Sequence, residues 1–275
     1  MSTATGNISG GRATTASGPL SHRRVRHYVD LVTVLVAKEF RVRYKSTVLG
    51  YAWSVMHPLA FALVFCFIFS FMSKFEVENY IIYLIAGLFP WQCLSNSIVG
   101  ANFYFLGNSS LIKKVKFDRA ALVTAGVLNE IIHFAVSIPV VMLFMLWYGH
   151  LPSLAWLWLV PMLVAVQMAM AIGLCLIVAT CNLFFRDLER LTTIAMHLMF
   201  YVTPIIYPEN VLPAEYRWTL WANPFAPLIR CWHGLFYYGE FPATAFLGAV
   251  LWAGAMLAIG YGVYRALVWR FAEIV

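Results

Sequence analysis

Charge is scarce in this sequence. Only 11% of its 275 residues are Asp, Glu, Lys or Arg, and 62% are hydrophobic. A water-soluble chain of that make-up would expose far more apolar surface than such proteins carry, so a soluble globular fold is excluded and lipid must act as solvent. Cysteine is also sparse. Cys66, Cys93, Cys175, Cys181 and Cys231 are scattered, mostly through apolar runs, with no CxxC spacing, which argues against a local metal or redox motif and predicts buried free thiols. The histidines His22, His27, His57, His150, His197 and His233 are just as dispersed. There is no HExxH, no GxSxG, no paired-carboxylate motif in a loop and no glycine-rich loop ending in GK before Ser or Thr. No catalytic residue and no metal site is therefore assigned, and ATP binding is not expected of this chain. Any energy source must come from a gradient or a partner.

What the chain does have is long apolar runs. Stretches from Leu49 to Met72, Ile81 to Phe105, Ala120 to Trp147, Ala155 to Phe184, Leu191 to Tyr207 and Ala243 to Val268 read as six crossings, each near the length a helix needs for a bilayer core of ~30 Å. An even number puts both termini on one side. Of the 19 Lys and Arg residues, only Lys74, Arg217 and Arg230 fall on the opposite side. This asymmetry predicts cytoplasmic termini, and the net charge of +7 reports topology, with attraction to anionic membrane lipids as a secondary effect. No cationic face remains for nucleic acid. The predicted fold class is an all-α integral membrane protein.

Residues 1–24, which open with Gly, Ser, Thr and Ala, read as a disordered cytoplasmic tail that lacks the apolar core of a secretory signal. Residues 25–275 read as one transmembrane domain. Within it, Tyr28, Leu31, Val32, Leu35, Val36 and Val42 recur at helical spacing opposite Asp30, Thr33, Lys38, Arg41 and Lys45, which predicts an amphipathic interface helix over 25–45. In the loop 107–120, Asn108 or Ser109 is positioned to cap a short helix carrying Leu111, Ile112, Val115 and Phe117 among lysines. Such a loop fits either a docking knob or ordinary positive-inside anchoring. Residues 204–242 hold six of the twelve prolines and many aromatics, which rules out an uninterrupted span and predicts short re-entrant helices in the outer leaflet. Broken backbone at that depth requires protein or a water-filled cavity to satisfy its polar groups.

Glu130, preceded by Asn129 and followed one turn later by His133, lies well inside the third span. Intramembrane carboxylates are costly and usually paired. Two roles are open: a proton relay with His133, or a hydrogen-bonded helix contact to a polar group such as Gln167, with the contact favoured.

Several strings resemble one family. RYKSTVLGYAWSVMHPL (Arg43 to Leu59), YLIAGLFPWQ (Tyr83 to Gln92), LIKKVKFDR (Leu111 to Arg119), NLFFRDLERL (Asn182 to Leu191) and the proline-rich Thr203 to Ile229 are similar, in order and spacing, to the membrane subunit of ABC-2-type polysaccharide exporters, which include O-antigen, teichoic acid and capsule exporters of bacteria. His57 stands where the family commonly has Gln, and Asp118 where Pro is frequent. The resemblance implies a homodimer of six-helix subunits in the bacterial cytoplasmic (inner) membrane, joined to two cytoplasmic ABC ATPase subunits that bind ATP and Mg. This chain would carry no cofactor. Leu111, Ile112, Lys113, Lys114, Phe117, Asp118 and Arg119 would couple to the ATPase, with the interface helix as a second contact. The implied cargo is a glycan on a polyprenyl diphosphate. Arg41, Arg43 and Lys45 are then placed to bind the diphosphate at the cytoplasmic gate by charge-assisted hydrogen bonds, against ordinary topological anchoring. Trp53, Phe61, Phe65, Phe200 and Tyr201 are candidate glycan channel linings, because a sugar's C–H face stacks on a ring while its hydroxyls stay wet. Two other readings are weighed: an ABC-2 exporter of a small drug or lipid, and a membrane enzyme that processes polyprenyl lipids. The enzyme would need grouped acids near the interface, and only Asp187 with Glu189 comes close.

Overall fold

The computed structural model describes residues 20–44, 78–149 and 153–271, together with 52–53, 56, 59–64 and 67. These residues are overwhelmingly helical, and no strand occurs among them. The tail up to residue 19, Lys45, Phe65, Cys66 and most of the expected first span lie outside the described residues, as do the side chains of 20–24 and of 42–44, Arg43 included.

The first helix, α1 (Leu20–Tyr44), begins five residues before the interface helix expected from the periodicity. Its apolar stripe is real: Val32, Leu35 and Val36 are buried and Tyr28 and Leu31 half-buried, while Asp30, Thr33, Lys38 and Arg41 are exposed. The stripe packs on α4 (Ala120–Trp147), where the Tyr28 hydroxyl lies 2.8 Å from Thr124 Oγ1.

Among the described residues four helices are long and apolar enough to cross a membrane: α2 (Tyr80–Tyr104), α4, α5 (Trp156–Phe184) and α9 (Ala243–Leu267), the last continued by a 3-10 turn to Arg270. At 1.5 Å per residue each exceeds the ~30 Å bilayer core. They match the second, third, fourth and sixth expected spans to within a residue at each end. Helix α2 is apolar all round and buried nearly all round, which makes it the central post. α4 and α5 flank it, and α9 lies on the outside of α5 with most of its surface exposed.

The fifth expected span is interrupted near its end. Helix α6 runs over Leu188–Val202, starting after Asp187 and ending at Thr203, whose φ of −85° and ψ of 136° are extended. Pro204 explains the stop, because the ring of a proline forces the preceding residue out of helical geometry. Fifteen residues give about 22 Å, short of a full crossing. The chain then makes 3-10 turns at Glu209–Val211 and Ala214–Tyr216, a single turn α7 (Thr219–Ala222), α8 (Ala226–His233) and a π-helical segment at Gly234–Tyr238. Gly239, with φ of 69°, closes that segment in the left-handed conformation open to glycine. Helix α8 packs on both α2 and α9.

The most extensive contact in the molecule is α5 with α9, and it is backbone against backbone. A Cβ added at Gly260 would strike the Gly173 carbonyl, and one added at Gly173 would strike the backbone of Met256. Without a hydrophobic drive between helices in lipid, close approach through small residues supplies the packing energy. Replacing Gly260 by Leu is expected to lower unfolding stability in detergent by about 3 kcal/mol or to prevent folding, because backbone cannot yield as a side chain can. Gly254→Ala, at a glycine with open space around it, is expected to leave stability within about 0.5 kcal/mol.

Candidate functional site

The loop joining α2 to α4 is where the expected docking residues gather. It holds a 3-10 turn, Leu106–Asn108, and α3 (Ser109–Lys114), with Val115 already extended. Asn108 does not cap α3. Its Nδ2 donates instead to the Tyr104 carbonyl at 3.0 Å, and its Oδ1 accepts from Lys38 Nζ of α1 at 2.6 Å. The loop is thereby tied to the interface helix by a charge-assisted bond.

Its other end is tied just as firmly. Asp118 Oδ1 accepts from the Ala120 N–H and from the Tyr264 hydroxyl of α9, both at 3.0 Å. Arg119 donates to the Val268 carbonyl at 2.6 Å, with its guanidinium 5.4 Å from the Phe271 ring centroid. Asp118 and Arg119, grouped with the docking residues on resemblance, thus brace the loop against the end of α9. Ile112, expected in the same group, is only 6% exposed and faces the chain's own core. The exposed apolar residue is Val115, at 51%, flanked by exposed Lys113, Lys114 and Lys116, with Leu111 and Phe117 half-buried. A cavity of about 520 Å³ opens among these side chains, Tyr264 and Val268.

The expected channel aromatics divide. Trp53, Phe61 and Tyr201 are exposed. Phe200 is 8% exposed and packs among Phe61, Trp91 and Tyr201 at ring distances of 5.2 to 6.4 Å, so it supports a wall that others present. Helix α6 offers an unbroken exposed stripe of Leu191, Ile194, Leu198 and Tyr201. Arg41 is exposed in the last turn of α1. Asp187 and Glu189 are exposed at the start of α6, with Glu189 in its first turn, a placement that suits the helix dipole.

Asn129, Glu130 and His133 are buried in α4, and the His133 ring lies 5.4 Å from Phe40 of α1. Gln167, expected as a polar partner for Glu130, donates to the Pro90 carbonyl at 3.3 Å and accepts from Trp232 Nε1 at 2.9 Å. That amide joins α2, α5 and α8 through atoms with no access to water, a link that sequence reasoning missed. Cys93, Cys175 and Cys231 are buried free thiols, and Cys181 is a half-buried one.

At the opposite end, Tyr80 and Tyr83 of α2 donate their hydroxyls to the carbonyls of Ile206 at 2.7 Å and Tyr207 at 2.8 Å. Tyr237 donates to Glu78 at 2.7 Å, and Trp252 of α9 to Trp221 at 3.0 Å. The His233 ring stacks on Tyr83 at 4.1 Å, in room left by the missing side chain of Gly87. Glu209 pairs with Arg230 at 2.5 Å. Burial pushes the Glu209 carboxyl above the usual carboxylate range, while Arg230 and Arg217 pull it back down. Their opposite signs in a proline-rich segment poor in charge were the only sequence cue to this pair.

The bracing contact at Asp118 is open to test. Asp118→Ala and Tyr264→Phe are each expected to lower stability in detergent by about 1 kcal/mol, and the double variant by less than their sum, because both remove one hydrogen bond. Full additivity would show that the bond contributes nothing.

The sequence profile of the ABC-2 type transporter family matches residues 30–237. The O-antigen export system permease protein RfbA of Klebsiella pneumoniae is 39% identical over 246 residues, which cover 89% of this chain and 95% of that protein. Its counterpart in Myxococcus xanthus is 28% identical over 86% of this chain and 94% of its own length. The polysialic acid transport protein KpsM of Escherichia coli is 24% identical over 74% and 80%. With its all-helical build and four bilayer-length apolar helices, the chain belongs to the ABC-2 type transporter family of membrane proteins.

Proposed function

We propose that this chain is the membrane-spanning subunit of an ATP-driven exporter that moves a lipid-linked, O-antigen-like polysaccharide across the bacterial cytoplasmic membrane. The observation that carries this reading is 39–40% identity, over 95% of their length, to relatives named O-antigen export system permeases. The chain acts as a transport subunit. ATP and Mg are handled by a separate cytoplasmic ATPase, present in two copies beneath a homodimer of this chain.

In this reading both termini are cytoplasmic and there are six crossings, the first from Leu49 to Met72 and the fifth made of α6 with the turns that follow it. Helices α7 and α8 with the π-helical segment dip into the outer leaflet and return. The tyrosine hydroxyls that satisfy carbonyls of residues 206 and 207 support this, since broken backbone is tolerated at membrane depth only where protein provides partners. The exposed α6 stripe faces lipid or the second copy.

Val115 and the lysines around it form the ATPase docking surface, complementary to an apolar groove with an acidic rim. The loop is bound to α1 through Lys38, to α4 through the Ala120 N–H and to α9 through Tyr264 and Val268. A displacement imposed on α3 therefore moves three helix ends together. Arg41, Arg43 and Lys45 receive the diphosphate at the cytoplasmic side, and the exposed rings of Trp53, Phe61 and Tyr201 give sugars a face to slide along.

The test is to delete the gene and stain surface and internal polysaccharide separately, with a plasmid-restored control. Loss of surface polymer with accumulation of lipid-linked glycan inside is expected, and unchanged surface polymer overturns the reading. Val115→Glu, produced at normal level in the membrane, is expected to reduce export about tenfold, the effect of losing one anchor residue of an interface. Retained export would remove Val115 from the docking surface.

A further inference from the structure

The outer end of the molecule carries a feature that the export reading does not use. Two cavities, of about 400 and 360 Å³, lie side by side there and share Glu209, Asn210 and Arg230 in their walls. The first is completed by Arg217, Leu220, Trp221 and Thr244. The second is completed chiefly by Tyr238, Glu240 and Phe241 over a base of Tyr83 and His233. Each is within the size range of small-molecule sites, ~300–1,000 Å³.

From these walls we infer that the paired cavities are a binding site for neutral saccharide, with two subsites, taking residues of the exported chain as it leaves. This rests on the polysaccharide export reading above. The first ground is charge. Across the two cavities together Glu209 and Glu240 stand against Arg217 and Arg230, so the combined lining is balanced: the first carries one more arginine than carboxylate and the second one more carboxylate than arginine, and a polyanion spanning both finds no net attraction. The second is the form of the polar groups. Carboxylate, guanidinium and side-chain amide are planar and present adjacent donor or acceptor atoms, the geometry that pairs with neighbouring hydroxyls on a ring.

The third ground is aromatic surface. Trp221 is 47% and Tyr238 57% exposed, one in each subsite, so each cavity offers a partly open ring face for sugar C–H groups. Neither ring is loose. The Trp221 carbonyl is held by Trp252, its ring would meet a Cβ added at Gly248 at 2.9 Å, and the Arg230 guanidinium lies 5.8 Å from its centroid. Tyr238 meets Tyr237 edge to face at 4.8 Å. The fourth ground is preorganisation. Arg230 and Glu209 hold one another in the shared wall, so one ion pair sets the polar groups of both subsites before a sugar arrives.

The test uses the full chain in its exporting cell. A photo-crosslinking p-benzoylphenylalanine is placed at Trp221, at Tyr238 or, as control, at Leu251, which is exposed on α9 away from the cavities. After irradiation the chain is purified under denaturing conditions and probed for the cell's surface polysaccharide. A glycan ladder is expected from positions 221 and 238 and none from 251. The ladder should vanish in a strain whose polymer synthesis is blocked. Glu209→Gln is expected to cut its yield at both positions about tenfold, the effect of losing one hydrogen-bonding charge. Glu240→Gln, which leaves the ion pair intact, should cut it at position 238 alone. Absence of glycan at 221 and 238 in cells that still export overturns this inference and leaves the export reading standing. A ladder that persists without polymer synthesis also overturns it, since the sugar would then come from a resident glycolipid. A deletion strain with unchanged surface polymer would instead remove the export reading itself.

Discussion

A backbone carbonyl with no partner in a bilayer costs several kcal/mol, and the end of this protein opposite the lysine-rich loop is organised around that constraint. Helix α6 ends at a proline, and nearly forty residues follow with no helix longer than eight. Their carbonyls are answered from α2, whose Tyr80 and Tyr83 reach up one turn apart to Ile206 and Tyr207. Those two phenols are part of the reason that α2 is the most buried of the four bilayer-length helices. They need the post beneath them to be fixed, and the Gln167 amide fixes it by joining α2 to α5 and α8 where no water competes.

The two ends of the molecule solve opposite electrostatic problems. At the loop end, Lys113, Lys114 and Lys116 project freely, so the surface keeps its positive field for a partner or for anionic lipid. Asp118 and Arg119 in the same loop are hydrogen-bonded to α9 and the turn that continues it, so the loop is held by residues other than its lysines. At the far end Glu209 is paired with Arg230 within the chain.

Apolar length made four of the spans readable to within a residue, because α2, α4, α5 and α9 end where charge or a turn interrupts the run. The same rule overran at α6. Hydropathy continues past Thr203 into Ile205 and Tyr207, and only the geometry imposed by Pro204 stops the helix. Side-chain roles were less legible. Asn108 looks like a cap by position, yet its partner Lys38 lies seventy residues away, and Tyr264 lies 146 residues from Asp118. Local spacing carries no record of such partners. Ile112 and Phe200 were read as surface for a related reason: in a chain apolar nearly everywhere, a helical stripe no longer distinguishes core from lipid or partner.

The contact of Gly173 with Gly260 bears on how the protein is made. Helix α5 leaves the ribosome long before α9, and until α9 arrives its seam is a bare strip of backbone facing lipid tails. The seam is shaped for backbone at Gly173 and Gly260, so insertion of the earlier helices leaves it open until α9 docks and closes it. A ribosome stalled before α9 therefore leaves α5 with its glycine seam unclosed and the bundle unfinished, a natural substrate for membrane quality-control proteases.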